Sequence, residues 1–121
     1  MKIKIISNDI EAVAELNNTN TARKIYNLLP IESRALRWGD EIYFYIDVKI
    51  DKENPKEEVE VGDIAYWLEG PAICLFFGRT PASISEKPRA ASPVNVFGRI
   101  ISGMENLRDV KNNAKIKVEK M

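Results

Sequence analysis

Short segments in which apolar and polar residues alternate, separated by turn residues, recur along almost the whole sequence. Lys2–Ser7 alternates in this way and, after the pair Asn8-Asp9, Ile10–Leu16 alternates again, which predicts a hairpin. Roughly eight or nine such strands are expected, against one clear helix and one short second helix. Because closing a sheet removes its exposed edges, the pattern favours a mainly β fold in the form of a closed β-barrel.

One segment has the spacing of an amphipathic helix. Thr21–Leu29 carries its apolar side chains on a single stripe and precedes Pro30, a residue that ends helices. We therefore expect the main helix there, with Ile25 and Leu28 buried against the barrel. The short second helix is expected within Met104–Val110.

Two later segments indicate where a binding site is expected. Ala72–Phe77 is apolar throughout, which predicts a strand buried on both faces, with the neighbours Phe76 and Phe77 pointing to opposite sides. Gly78–Pro93 follows and contains three prolines and two arginines. A connection of this length in a compact chain is usually functional or mobile.

The chain has 121 residues, of which 45% are hydrophobic. This size suits a single domain over residues 1–121 with one core. No apolar run is long enough to span a bilayer and Met1–Asn8 lacks the pattern of a signal peptide, so a cytoplasmic protein is expected. Abundant Lys, Glu and Ile with no Gln is a composition typical of proteins from hot environments.

Charge and missing residue types exclude several classes of function. Eighteen basic residues balance eighteen acidic ones, so the basic field of a nucleic-acid binder is absent. Histidine is also absent, which removes the commonest general base and metal ligand and every histidine-dependent triad. We therefore predict no metal site and no cofactor, assign no catalytic residue, and expect little change in stability between about pH 6 and pH 8.

The single cysteine is expected to be structural. Cys74 lies in the middle of the apolar run and has no second cysteine to pair with, so no disulfide within the chain is possible. A buried thiol in such surroundings behaves as a small hydrophobic side chain. We therefore predict an inert Cys74.

Several motifs together resemble the small prokaryotic cyclophilin-like proteins, whose function is uncharacterised. The residues that carry the resemblance are Trp38–Phe44, Gly62–Trp67, Leu75–Pro81, Ser92–Ile100 and Gly103–Leu107. They are spread over nearly the whole chain. The resemblance implies a cyclophilin-like barrel.

A more distant similarity extends to the cyclophilin peptidyl-prolyl isomerases. Phe76-Phe77 is similar to their paired phenylalanines, which implies that Phe77 is the aromatic floor of a proline pocket. The isomerase pattern is incomplete, however. The aligned strand Glu41–Ile50 lacks the family's catalytic arginine, and Val94 occupies the position of the pocket histidine.

Four residues are the candidate ligand-binding residues, each with a structural alternative. Trp67 and Phe77 could line a pocket, although aromatic side chains on short strands are usually core. Arg79 follows the buried strand directly, where a guanidinium can bind a carboxylate or instead pair with a surface acid. Arg89 lies later in the same loop and could equally be solvated.

These observations favour a cyclophilin-like binding domain that lacks full isomerase chemistry. Its ligand would be a small molecule or an extended, proline-containing peptide in a groove between the barrel wall and the segment Gly78–Pro93. The alternative is a peptidyl-prolyl isomerase with a rearranged site. A third possibility is a structural subunit, which would expose a large apolar patch. The sequence predicts no nucleic-acid or membrane partner and leaves the oligomeric state open.

Overall fold

The computed structural model describes all 121 residues and contains ten β-strands, one α-helix and one 3₁₀ helix. Neither helix has the length and apolar character required to cross a bilayer. In chain order the elements are β1 (Lys2–Ser7), β2 (Ile10–Leu16), α1 (Asn20–Leu28), β3 (Ile31–Arg34), β4 (Leu36–Arg37), β5 (Glu41–Tyr45), β6 (Lys56–Glu58), β7 (Asp63–Trp67), β8 (Ala72–Phe76), β9 (Arg89–Ser102), the 3₁₀ helix (Met104–Asp109) and β10 (Lys115–Lys120).

All ten strands belong to one antiparallel sheet, which confirms a mainly β fold. The strand order is β3-β10-β1-β2-β9-β7-β8-β5-β4, and β6 pairs separately with β9. The two edge strands, β3 and β4, are separated in the chain only by Ala35, yet they pair with β10 and β5 rather than with each other. Hydrogen bonds therefore do not close the sheet, and the closed barrel expected from the sequence is not confirmed.

The long strand β9 connects the two halves of the sheet. It pairs with β2 on one side and with β7 on the other, and both pairings shift register at a bulge. Gly98 lies where β2 crosses closely, because a Cβ atom at this position would be 2.8 Å from the Glu15 carbonyl oxygen. Only glycine fits this approach without a shift of the backbone.

The sheet separates two hydrophobic clusters. The larger has 23 buried residues on the inner face of the sheet, and the smaller has six on the outer face: Val59, Ala65, Cys74, Phe76, Ala90 and Val94. The two phenylalanines at the end of β8 belong to different clusters. Phe76, the last residue of the strand, belongs to the outer cluster, and Phe77, just after the strand, belongs to the inner one. The predictions that this strand is buried on both faces and that its phenylalanines diverge are confirmed.

The main helix forms where it was expected, with one difference in its buried face. The Thr19 side chain accepts a hydrogen bond from the Ala22 backbone N–H and so caps the helix start. Ile25 is fully buried as predicted, but Leu28 is 46% exposed. Leu29 is buried instead, because it lies four residues after Ile25 and so on the same side of the chain.

The segment after β5 differs from the sequence-based expectation. The predicted strand Glu41–Ile50 ends at Tyr45, and the chain beyond it is fixed by a side chain rather than by sheet pairing. The buried Tyr66 hydroxyl donates to the Val48 carbonyl oxygen at 3.0 Å and accepts from the Ile50 N–H at 3.0 Å. The long connection after β8 is also shorter than expected, because β9 already begins at Arg89.

Candidate functional site

Antiparallel pairing aligns four side chains on the outer face of the sheet. In β5 and β8, Glu41 pairs with Phe76 and Tyr43 pairs with Cys74. In β7 and β8, Trp67 pairs with Ala72, two residues from Cys74. Paired residues in neighbouring strands point to the same face, and so do residues two positions apart along a strand. Glu41, Tyr43, Trp67 and Cys74 therefore share one surface.

A tight turn adds Trp38 to this surface. The Trp38 N–H donates to the Glu41 carbonyl oxygen at 2.9 Å, and the Glu41 N–H donates to the Trp38 carbonyl oxygen at 3.3 Å. Gly39, inside the turn, has a φ of 64°, which a residue with a side chain rarely adopts. Because this pair exchanges both hydrogen bonds, the Trp38 and Glu41 side chains lie next to each other on one face.

These side chains enclose a cavity of about 200 Å³ beside the start of β9. We call it the outer-face cavity; its lining residues are Trp38, Glu41, Tyr43, Trp67, Cys74, Ala90 and Ala91. The Tyr43 and Trp67 rings meet at 80° with their centroids 6.1 Å apart, and so form a corner. The Trp67 indole N–H donates to the Ser92 hydroxyl at 2.6 Å, which fixes the orientation of the ring.

Glu41 is the only acidic residue that lines the cavity, and one of its oxygens is unpaired. The side chain is 5% exposed, and Oε1 is buried without a hydrogen-bond partner. Glu41 takes part in none of the six salt bridges of the protein. Burial raises the pKa of Glu41 to about 7, and its contact with the Cys74 thiol opposes the rise only in part. A carboxyl group with this pKa would titrate between pH 6 and 8, the range in which the absence of histidine led us to expect little change.

Comparison with known proteins shows the family. The family model described as Cyclophilin-like matches residues 1–119. The chain belongs to the cyclophilin-like family. The solution structure of a hypothetical protein from Archaeoglobus fulgidus is similar to this cyclophilin-like protein, with 47% identity and a TM-score of 0.85 over 100% of this chain and 95% of the other. None of the curated proteins compared matches the chain.

Of the four predicted ligand-binding residues, this cyclophilin-like structure brings only Trp67 to the cavity. Phe77 lies on the inner face of the sheet and is 3% exposed. It is three residues from Cys74, and an odd separation along an extended chain places two side chains on opposite faces. The guanidinium carbons of Arg37 and Arg108 lie 5.2 and 5.4 Å from the centre of its ring. Its side chain is therefore already surrounded by protein.

The two predicted arginines also lie outside the lining of the cavity. Arg79 is exposed and forms no salt bridge, while its carbonyl oxygen accepts a hydrogen bond of 2.8 Å from the Asp40 N–H. The Arg89 guanidinium forms a salt bridge of 2.7 Å with Glu57 on the neighbouring strand β6. Arg89 is thus paired with an acid, whereas its structural alternative expected a solvated side chain.

Sequence analysis missed Trp38, Glu41 and Tyr43. A signal was present for Glu41 and Tyr43, because they alternate with the apolar residues Ile42 and Phe44 and therefore share the opposite face of the strand. No cluster of three or more potential acidic or cysteine metal ligands is present in the cyclophilin-like structure. The chemistry of the cavity is thus that of one carboxyl group, one thiol and aromatic walls.

Cys74 is expected to react very slowly with thiol reagents although it lines the cavity. The residue is 1% exposed, and burial, together with the neighbouring Glu41 carboxyl group, raises the pKa of its thiol well above the usual value. Since the thiolate is the reactive form, the folded protein should be labelled at least about a hundred times more slowly than the urea-unfolded protein. Absorbance assays with an aromatic disulfide reagent at pH 8 measure both rates. Comparable rates would contradict this prediction.

Proposed function

We propose that this cyclophilin-like protein binds a small molecule in the outer-face cavity. The observation that carries the proposal is the buried Glu41 carboxyl group in the lining of a largely apolar cavity, with one oxygen that has no hydrogen-bond partner. A buried acceptor without a partner is unfavourable, and a ligand that donates a hydrogen bond to it removes this cost. The aromatic side chains supply the apolar contact area.

The size of the cavity supports a small molecule rather than an extended peptide. Its volume of about 200 Å³ is smaller than that of most sites for drug-sized ligands. The corner between Tyr43 and Trp67 also gives it a defined shape. Shape and a single hydrogen-bond acceptor together favour a compact ligand with one polar end.

A panel of small neutral, cationic and anionic compounds, followed by two-dimensional NMR of the ¹⁵N-labelled protein, tests the proposal. Binding should shift the indole N–H signals of Trp38 and Trp67 and the amides of Glu41 and Cys74. The substitution Trp67→Ala should weaken binding about tenfold or more, equivalent to about 1.4 kcal/mol. Arg79→Ala is the control, because this exposed side chain does not line the cavity, and it should leave the affinity unchanged.

Ala91→Leu provides a second variant in case Trp67→Ala unfolds. Ala91 lines the cavity but is exposed, so a larger side chain there can fill the space without disturbing the core. It should abolish the shifts in a folded protein. Shifts confined to Arg79 and the residues around Phe77 would contradict the proposal. So would clear turnover of a proline peptide that depends on Phe77, which would favour the isomerase alternative.

A further inference from the structure

The outer-face cavity contains an acidic group with no compensating charge from the protein. Oε1 of Glu41 is buried and unpaired, and no lysine or arginine lines the cavity. Arg89 pairs with Glu57 and Arg108 pairs with Asp40, while the exposed Arg79 side chain does not line the cavity. A bound cation would therefore supply a positive charge that the lining lacks.

We propose that the ligand of the cavity is a small alkylammonium ion, a protonated primary or secondary amine whose N–H donates to the Glu41 carboxylate. This inference rests on the proposed small-molecule function and deepens it by naming the ligand class. An ammonium group supplies both the hydrogen-bond donor and the charge that the site lacks. Charge-assisted hydrogen bonds of this kind are roughly twice as strong as neutral ones.

The aromatic walls favour the same ligand class. Trp38, Tyr43 and Trp67 all line the cavity, and Tyr43 and Trp67 meet nearly at a right angle. Aromatic faces attract cations, most strongly in desolvated sites, and they also contact the alkyl part of the ion. The indole hydrogen bond of Trp67 to Ser92 and the turn that joins Trp38 to Glu41 hold this arrangement before a ligand binds. A preorganised site loses less entropy on binding.

The other ligand charges fit less well. An anion would be repelled by ionised Glu41 and would find no basic side chain in the cavity. A neutral alcohol can donate one hydrogen bond to the Glu41 carboxylate but leaves its charge uncompensated in a desolvated site. The cavity therefore discriminates by charge as well as by size.

Binding of an ammonium ion is coupled to the ionisation of Glu41. The titratable groups that face Glu41 are the Cys74 thiol on β8 and the Tyr43 hydroxyl on β5. Both have raised pKa values and stay neutral below about pH 8, while the cavity residues of β7 and β9 do not titrate. With a pKa of about 7 for Glu41 in the free protein, the ionised fraction rises roughly thirtyfold between pH 5.5 and pH 8.

The test compares isobutylammonium with isobutanol, which has nearly the same shape and also donates a hydrogen bond but carries no charge. NMR titrations of the wild-type protein at pH 8 should give an affinity about tenfold or more higher for the ammonium ion. That preference should disappear at pH 5.5, and the affinity for isobutanol should not rise between pH 5.5 and pH 8. The substitution Glu41→Gln should remove both the preference and its pH dependence. Arg79→Ala, at a side chain that does not line the cavity, should change neither.

Trp67→Leu is the second variant, because it keeps an apolar wall and removes the aromatic face. It should weaken binding of isobutylammonium much more than that of isobutanol. Equal affinity for the two compounds at pH 8 would overturn the ammonium inference and leave the small-molecule function intact. Binding of only anionic or neutral members of the panel would also overturn the ammonium inference and leave the small-molecule function intact. A lack of any shift with the whole panel would overturn both.

Discussion

The free energy of unfolding of the wild-type protein is expected to fall, relative to that of Glu41→Gln, by about 2–3 kcal/mol between pH 5 and pH 8. In the folded protein the pKa of Glu41 is raised from 4.5 to about 7. Between these two values the folded state binds more protons than the unfolded state, so stability decreases as the pH rises. The loss is complete once the pH exceeds the folded-state pKa.

Urea titrations of both proteins at several pH values measure this difference. Comparison with Glu41→Gln cancels the contribution of other acids, such as Glu53, whose pKa is lowered by hydrogen bonds from the backbone of Thr21 and Asn20. Lowered pKa values act in the opposite direction, because they reduce stability only as the pH falls through the acidic range. Parallel pH profiles for the two proteins would show that Glu41 is not desolvated in the folded state.

Replacement of Phe76 by alanine is expected to reduce the free energy of unfolding by about 3–5 kcal/mol. Phe76 is fully buried and is the largest side chain of the six-residue outer cluster. Its removal leaves a void beneath the segment that leads into β9, where the Val59 N–H donates to the Pro88 carbonyl oxygen at 3.0 Å.

Thermal and urea unfolding of Phe76→Ala measure the effect. Val61→Ala is the control, since Val61 is a neighbouring apolar residue that is 48% exposed, and it should change stability by no more than about 0.5 kcal/mol. A loss below about 1 kcal/mol for Phe76→Ala would indicate that the outer cluster adds little to stability. The larger, inner cluster would then supply nearly all of the stability that comes from apolar burial.

Local alternation was enough to predict the elements whose pairing partners are close in sequence. The hairpin of Lys2–Ser7 with Ile10–Leu16 has the expected bounds, because both strands have one buried face and a short turn. By contrast, β7 pairs with β8 and with the distant β9. Alternation identifies a strand, whereas long-range packing selects its neighbours. Open edges at β3 and β4 likewise depend on three-dimensional geometry that no local pattern encodes.

The candidate site was predictable only in part. Trp67 was singled out from its residue type, and the cavity lies beside the first residues of β9, close to the groove expected next to the segment Gly78–Pro93. Glu41 was not predicted, because a glutamate after a Gly-Asp turn is usually solvated. Its burial follows from the first residues of β9, which line the same cavity, and from the two tryptophans beside it. Both conditions require knowledge of which strands meet.

The outer-face cavity is also an unfilled part of the outer hydrophobic cluster, since Cys74 and Ala90 belong to both. A bound molecule would therefore act as an additional core side chain supplied from solution. Each tenfold excess of such a molecule over its dissociation constant adds about 1.4 kcal/mol to the free energy of unfolding. The melting temperature of the protein would therefore rise with the concentration of the ligand.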